Sequence, residues 1–185
     1  ISLEELIKLF RLIPNDLAAD TFVEMEPEMP EKLISSLSDK ELHDVVDELY
    51  LDDAVDIIEG MPANVVSRIL KSVDANTRAN LNQLLNYPED SAGSIMTIEY
   101  VDLRPDITVW DAFTIIRAAG VDKETIYTCY ITDKRKLVGI VTVKDLLLAS
   151  YEDKLCDIME DNVISVNTLS DKEEVAQMLS KYDFT

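Results

Sequence analysis

Acidic side chains are the residues of this sequence whose type and spacing could do chemistry. Asp52 and Asp56 stand four positions apart, which places both carboxylates on one face of a helix. Nine acidic residues and a single basic one, Lys40, lie between Leu37 and Gly60. Divalent cations such as Mg²⁺ and Ca²⁺ take oxygen ligands of this kind, whereas a solvated acidic helix face gives the same pattern without any ligand. Both interpretations stay open at this point.

The net charge limits the classes of partner. The chain has 17 basic and 37 acidic residues, so its formal net charge is −20. Residues 1–90 carry 20 acidic and 7 basic residues, net −13, and residues 91–185 carry 17 and 10, net −7. Phosphate backbones and anionic membrane surfaces require the opposite sign. The composition therefore argues against nucleic acid as a partner and against docking on an anionic bilayer.

The residue types give little support for a zinc site, a disulfide framework or a catalytic site. His43 is the single histidine, and Cys129 and Cys156 are the two cysteines, too few for a zinc site or a disulfide framework. Neither a glycine-rich phosphate loop nor a nucleophile beside the histidine is present. We therefore predict that the chain is not an enzyme. No apolar run approaches the length of about 18 residues that a membrane-spanning helix needs.

The acidic residues belong to a repeating helical pattern. Apolar anchor residues recur every twelve positions, and most are followed eight and nine positions later by an apolar pair such as Val45-Val46 or Ile57-Ile58. Short amphipathic helices separated by tight turns give this spacing, and helices that bury such stripes against their neighbours stack into a superhelix. Ser38 followed by Glu41 predicts a capping box at one helix start. The anchors are Ile13, Met25, Leu37, Leu49, Met61, Val73 and Leu85.

A second repeat begins near residue 94. Ser94-Ile95-Met96 and Asp157-Ile158-Met159 open two copies of one pattern, 63 positions apart. The second copy stops at Thr185, so we expect the chain to be part of a longer protein. In the first copy the patterning predicts a strand at 101–103, a helix at 109–119, strands at 125–131 and 137–141, and a helix from Val143.

At this point the residues match a known family. The segment 139–145, Gly-Ile-Val-Thr-Val-Lys-Asp, resembles the cystathionine-β-synthase (CBS) repeat. Segments 88–97, 124–127 and 182–185, after an acidic helical array, make the chain similar to the cytosolic region of MgtE-type magnesium transporters. The resemblance implies a multidomain fold: an all-α superhelical N-terminal domain at 1–88, then α/β CBS repeats at 89–152 and 153–185, the second one truncated.

The resemblance also implies a set of metal ligands. In that family, acids of the helical domain face acids of the second CBS repeat, and Mg²⁺ bridges them. For Asp171 the competing interpretation is a negative charge at a helix N-terminus, where its interaction with the helix dipole is favourable. Matched by motif, the metal ligands are Asp20, Asp52, Asp56, Asp171, Glu173 and Asp183.

Thr142 and Asp145 form a second candidate site. In many CBS repeats the matching Thr and Asp hold the ribose and phosphate of an adenosine nucleotide, which implies ATP as a further ligand. A capping box, with Thr142 at the helix N-cap and Asp145 three positions later, explains the same two residues without a ligand. Thr128 stands where an aromatic side chain could stack on adenine, which weakens the nucleotide interpretation.

These observations predict a Mg²⁺-sensing regulatory region that gates the pore of a magnesium transporter. The family implies a homodimer formed through the CBS repeats, a transmembrane domain that follows Thr185, and a place at the cytoplasmic face of the cell membrane. The alternative function is a nucleotide-sensing CBS module on a helical interaction scaffold.

Overall fold

The computed structural model describes residues 2–26, 29–120 and 123–182. The chain divides into two compact units, Ile1–Met96 with Thr168–Thr185 and Thr97–Asn167. This grouping follows contacts rather than repeats, so the boundaries 1–88, 89–152 and 153–185 stay a prediction. No helix within the described ranges has the length and apolar character that a membrane crossing requires.

Short helices fill the first unit, as the twelve-residue period predicts. Every anchor falls in the turn that follows one helix, and Leu37, Leu49 and Val73 are buried there. Most alternate helices pack on each other, so their apolar stripes are covered by the helix two positions along the chain. The described helices of residues 2–96 are α1 Leu3–Phe10, α2 Asn15–Val23, α3 Met29–Ile34, α4 Asp39–Val46, α5 Leu51–Glu59, α6 Ala63–Ser72 and α7 Ala75–Leu84.

The predicted capping box at the start of α4 also connects α4 to the end of α1. Ser38 and Glu41 form the expected capping box at α4. The Glu41 carboxylate also accepts a 2.6 Å hydrogen bond from Arg11 Nε, just after α1. The Arg11 hydrogen bond is the main cause that lowers the pKa of Glu41 to about 2, and the Ser38 backbone and hydroxyl add to it. Glu41 therefore stays ionised wherever the protein is folded at neutral pH.

The second unit is a small α/β layer. Strand β1 runs parallel to β2, and β2 pairs antiparallel with β3. Val101, Leu103, Cys129, Ile131 and Val141 form its buried core with residues of the flanking helices. Its described elements are β1 Val101–Leu103, α8 Val109–Ala119, β2 Thr128–Asp133, β3 Lys136–Thr142, α9 Val143–Leu148 and α10 Leu155–Ile158.

The strand predicted at 125–131 begins three residues later than expected. The Thr125 hydroxyl accepts a hydrogen bond from the Tyr127 backbone N–H (3.3 Å), so this β-branched stretch forms a local turn instead of pairing. A short charged turn joins β2 to β3. Lys134 and Arg135 adopt positive φ angles of 49° and 66°, which suits a two-residue hairpin connection.

The 63-residue repeat reappears in the hydrogen bonds. The Ala92 N–H, in a 3₁₀ helix at Ala92–Ser94, donates to the Ser170 carbonyl (2.8 Å). Leu155, 63 positions after Ala92, donates in the same way to Ile107 (3.0 Å), 63 positions before Ser170. The two copies of the sequence repeat therefore form equivalent backbone hydrogen bonds. Two more bonds have equivalents: Gly93 to Thr168 with Cys156 to Pro105, and Lys172 to Asp90 with Val109 to Asp153.

Residues 168–182 belong to the first unit. Helix α11, Lys172–Tyr182, begins beside the segment that follows α7, where Ser91 and Asp171 form an isolated antiparallel bridge. The N-terminus of α11 therefore belongs to the same compact unit as α5.

Candidate metal-binding site

Helix α5 presents two of the predicted ligands from consecutive turns. Asp52 stands in the first turn, and its Oδ1 is buried with no hydrogen-bond partner. Asp56 follows one turn later, and its pKa is raised, first by partial burial and second by the charge of Asp52. An unpartnered buried carboxylate oxygen is costly, and a second carboxylate nearby increases that cost. A cation is the chemical group that would relieve both costs.

A cavity explains why an exposed Asp56 is partly desolvated. Asp56 lines a cavity of about 240 Å³ that is walled by apolar side chains, including Phe22 and Pro30. Glu31 and Asp53 line the same cavity. Apolar walls lower the local dielectric response, so a carboxylate at their edge holds its charge less readily.

The N-terminus of α11 holds Asp171 and Glu173. Asp171 Oδ1 accepts hydrogen bonds from the backbone N–H groups of Glu173 (2.9 Å) and Glu174 (3.2 Å). Asp171 thus has the same capping position on α11 as Thr108, 63 residues earlier, has on α8. The competing interpretation, a charge at a helix N-terminus, describes what this side chain does here. A carboxylate has a second oxygen, so capping through Oδ1 leaves a ligand atom on Asp171.

Lys172 links the N-terminus of α11 to Glu89 and Asp90. Lys172 was not identified from the sequence. Its Nζ donates to the Glu89 carbonyl (3.0 Å) and forms an ion pair with Asp90 Oδ1 (3.3 Å). Its charge also lowers the pKa of Asp56, against the larger effects of burial and Asp52. The signal in the sequence was a single basic residue inside the acidic run 171–174.

The remaining predicted ligands lie apart or cannot be placed. Asp20 is exposed on α2, Glu173 is exposed on α11, and Asp183 lies outside the described residues. Among the described residues, no group of three or more His, Cys, Asp and Glu side chains is close enough to hold a metal ion. The pair on α5 fits a cation through its orphaned Asp52 oxygen, and fewer than three protein ligands suits Mg²⁺, which keeps several waters.

The second candidate pair forms a complete capping box. Thr142 is the N-cap of α9, and Asp145 Oδ2 accepts from the Thr142 backbone N–H (3.0 Å) and from its hydroxyl. The Asp145 N–H donates back to Thr142 Oγ1 (3.1 Å). The hydroxyl hydrogen bond is the main cause that lowers the pKa of Asp145. Thr128 pairs directly with Thr142 across β2 and β3, so the position opposite the box carries no aromatic ring.

Comparison with known proteins decides the family. Residues 1–90 match the model of the MgtE intracellular N domain, and residues 92–152 match the CBS domain model. The crystal structure of the cytosolic domain of the Mg²⁺ channel MgtE in complex with ATP is 34% identical, with a TM-score of 0.94. The match covers all of this chain and 76% of that one. This chain belongs to the MgtE family. Its helical array and CBS fold are therefore those of an MgtE cytosolic domain.

Curated MgtE proteins support the assignment. The magnesium transporter MgtE of Thermus thermophilus is 35% identical over 94% of this chain and 40% of its own length. The Bacillus subtilis MgtE is 36% identical over 72% of this chain and 30% of its own length. The chain thus spans less than half of these relatives. A second solved structure, the soluble part of a magnesium transporter, is 27% identical with a TM-score of 0.91, covering all of this chain and 73% of that one.

Proposed function

We propose that this chain is the Mg²⁺-sensing regulatory region of a magnesium transporter, at the cytoplasmic face of the membrane. The observation that carries the proposal is the buried, unpartnered Asp52 Oδ1 with Asp56 one turn away. The placement of the α11 N-terminus in the same unit supports it, because that helix end carries Asp171 and Glu173. Asp20 and Asp183 complete the proposed ligand set.

The mechanism follows from the carboxylate charges. Two carboxylates at about 4 Å repel by roughly 4 kcal/mol at an effective dielectric constant near 20. Two pairs of carboxylates, Asp52 and Asp56 on α5 and Asp171 and Glu173 at the N-terminus of α11, therefore oppose close approach of acidic surfaces while no cation compensates their charge. Bound Mg²⁺ would supply the positive charge that reverses this repulsion. The acidic surfaces then close and the transporter pore shuts, and they separate again when intracellular Mg²⁺ falls.

The family and the exposed surface of the second unit support a proposal about the partners. We propose that the chain forms a homodimer through its CBS repeats and regulates a transmembrane domain beyond Thr185. Trp110, Leu147, Leu148 and Tyr151 are large apolar side chains that are each more than half exposed in this unit. Burial of such a patch against a second copy would favour association.

Small-angle X-ray scattering tests the sensor proposal. Millimolar MgCl₂ is expected to reduce the radius of gyration of the chain, because a divalent cation neutralises facing carboxylates. It is also expected to protect residues 87–93 from proteolysis; these residues lie between α7 and β1 and are called the 87–93 linker below. NaCl at matched ionic strength only screens the charges and is expected to do neither. The forward scattering also gives the molecular mass and so tests the dimer. Identical profiles in the two salts would leave an acidic scaffold and no sensor.

A nucleotide-binding role is a second candidate. It is supported by the relative that was solved in complex with ATP, and Thr142 and Asp145 would be its binding residues here. ATP that binds the folded state raises the melting temperature by mass action, and Asp145→Ala is expected to abolish that rise. Asp111→Ala removes the equivalent capping box from α8 in the same unit and is the matched control. A thermal shift that survives Asp145→Ala would place the nucleotide elsewhere.

A further inference from the structure

The last helices of the array carry an open apolar groove of about 570 Å³. Residues from the end of α5, from α6 and from α7 line this groove, so it lies within the first unit. Its larger apolar side chains, apart from the buried Ile58, are half-buried. These half-buried residues are Met61, Val66, Leu70 and Leu85. The described residues therefore leave a continuous apolar surface of the array uncovered.

The twelve-residue repeat relates this groove to a contact inside the array. Leu42 and Val46 of α4 correspond to Val66 and Leu70 of α6, two periods later. The two α4 side chains are 0% and 5% exposed, whereas their equivalents on α6 are half-buried. Helix α4 packs on both α2 and α6, but among the described elements only α4 packs comparably on α6. The groove therefore lies where the repeat would place one further helix.

The charges at the groove favour an acidic helix in that place. Lys71 and Arg78 line the groove, and Glu59 is the one acidic residue among its described lining residues. Arg78 donates hydrogen bonds to two backbone carbonyl groups, which hold the guanidinium without neutralising it. In the part of the chain that the structure describes, neither cation forms an ion pair. Both positive charges are therefore available to a partner.

The charge of the surrounding segment supports the same choice. Residues 60–87 carry three basic residues and one acidic residue, net +2, whereas residues 1–59 carry four and seventeen, net −13. An acidic partner therefore meets attraction at the groove and repulsion over most of the remaining array. A second copy of this chain would bring its full net charge of −20 to the contact. A separate protein whose negative charge is confined to one helix avoids that repulsion.

We propose that this groove binds an acidic amphipathic helix of a separate protein, which takes the place of one further helix in the array. The apolar stripe of the partner helix, at i, i+3, i+4 and i+7, covers the half-buried side chains, and its carboxylates pair with Lys71 and Arg78. Helix α6 has ten residues and is about 15 Å long, so about three turns of the partner helix cover it. The inference goes beyond Mg²⁺ sensing and does not depend on it.

Isothermal titration calorimetry of the whole chain with a synthetic peptide tests the inference. The peptide has about 14 residues, with Leu at the four stripe positions, Glu beside them and Ala elsewhere, and a side-chain cross-link on its polar face holds it helical. At about 0.15 M NaCl, which screens the long-range repulsion between the two acidic molecules, it is expected to bind one to one. A peptide of the same composition in scrambled order is expected not to bind. Methyl NMR is expected to show shifts confined to the groove side chains.

Variants of the chain separate the groove from net charge. Lys71→Glu is expected to weaken binding about three- to tenfold, because it replaces an attraction by a repulsion. Leu70→Gln is expected to weaken binding at least about tenfold through loss of apolar contact. Lys8→Glu makes the same charge change on α1 and is the matched control, which is expected to bind like the wild type. Lys71 and Lys8 are both exposed, so their variants are expected to keep the wild-type melting temperature.

Several outcomes would overturn the inference. A wild-type chain that binds neither peptide, or both equally, would contradict a built groove. Equal weakening by Lys71→Glu and Lys8→Glu would reduce the effect to net charge. Self-association in sedimentation that Leu70→Gln abolishes would assign the groove to a second copy. Cosedimentation with vesicles of phosphatidylserine and phosphatidylcholine that Lys71→Glu abolishes would assign it to a membrane surface.

Discussion

Replacing Asp52 and Asp56 together by Asn is expected to raise the midpoint of the Mg²⁺ response about ten- to a hundredfold. Loss of residues that hold or support a metal ion has effects of this size, and here both proposed ligands on α5 lose their charge. Asn keeps nearly the shape of Asp, so the packing of α5 against its neighbours is retained. The midpoint is measured by scattering and linker proteolysis across a MgCl₂ titration.

The same double variant is expected to be more stable than the wild type in the absence of Mg²⁺, although it responds to Mg²⁺ less well. Without Mg²⁺ it is expected to melt at a higher temperature than the wild type, since Asp56 no longer meets the charge of Asp52 and the buried Asp52 oxygen no longer carries a charge. Asp44→Asn with Asp47→Asn is the matched control, with the same change of net charge on α4 and its C-cap. If both double variants shift the midpoint equally, the response depends on net charge and not on an α5 site.

Gly139→Ala is expected to destabilise the second unit by about 3–5 kcal/mol. A Cβ atom at Gly139 would lie 2.7 Å from Met159 Sδ and 2.9 Å from the Glu160 carbonyl oxygen. The sulfur can move, but the backbone oxygen is held by paired hydrogen bonds between Ile140 and Glu160, each 2.9 Å long. Overpacking of about 1–3 kcal/mol adds to the loss of two hydrogen bonds of about 1 kcal/mol each.

Chemical denaturation followed by circular dichroism measures this effect, with Gly60→Ala as its control. The nearest atom to a Cβ at Gly60 is the Ile57 carbonyl oxygen at 3.9 Å, which is an ordinary contact. Gly60 has a helical φ of −78°, so alanine there is expected to be neutral or to stabilise slightly. A Gly139→Ala variant as stable as Gly60→Ala would show that the segment after Met159 is free to shift.

Local patterns predicted most of the elements because their causes are local. The twelve-residue spacing of the anchors placed every turn of the helical array, since a short helix and its turn occupy one period. The strand Val101–Leu103 and the helix Val109–Ala119 have the predicted bounds. The predicted start of β2 was wrong by three residues. The Thr125 hydroxyl accepts a hydrogen bond from the Tyr127 backbone N–H, which competes with strand pairing and leaves no mark on hydrophobic alternation.

By itself, the sequence determined the helical array, the duplicated α/β repeat and the acidic pair Asp52 and Asp56. Only the tertiary structure decided which oxygen of that pair is buried without a partner, and that the charge of Lys172 lowers the pKa of Asp56. These two residues are 116 positions apart in the chain, and α11 belongs to the same unit as the helical array although its own repeat begins in the other unit. Helical periodicity and turn chemistry act over a few residues, whereas desolvation and electrostatic interaction depend on distance in space.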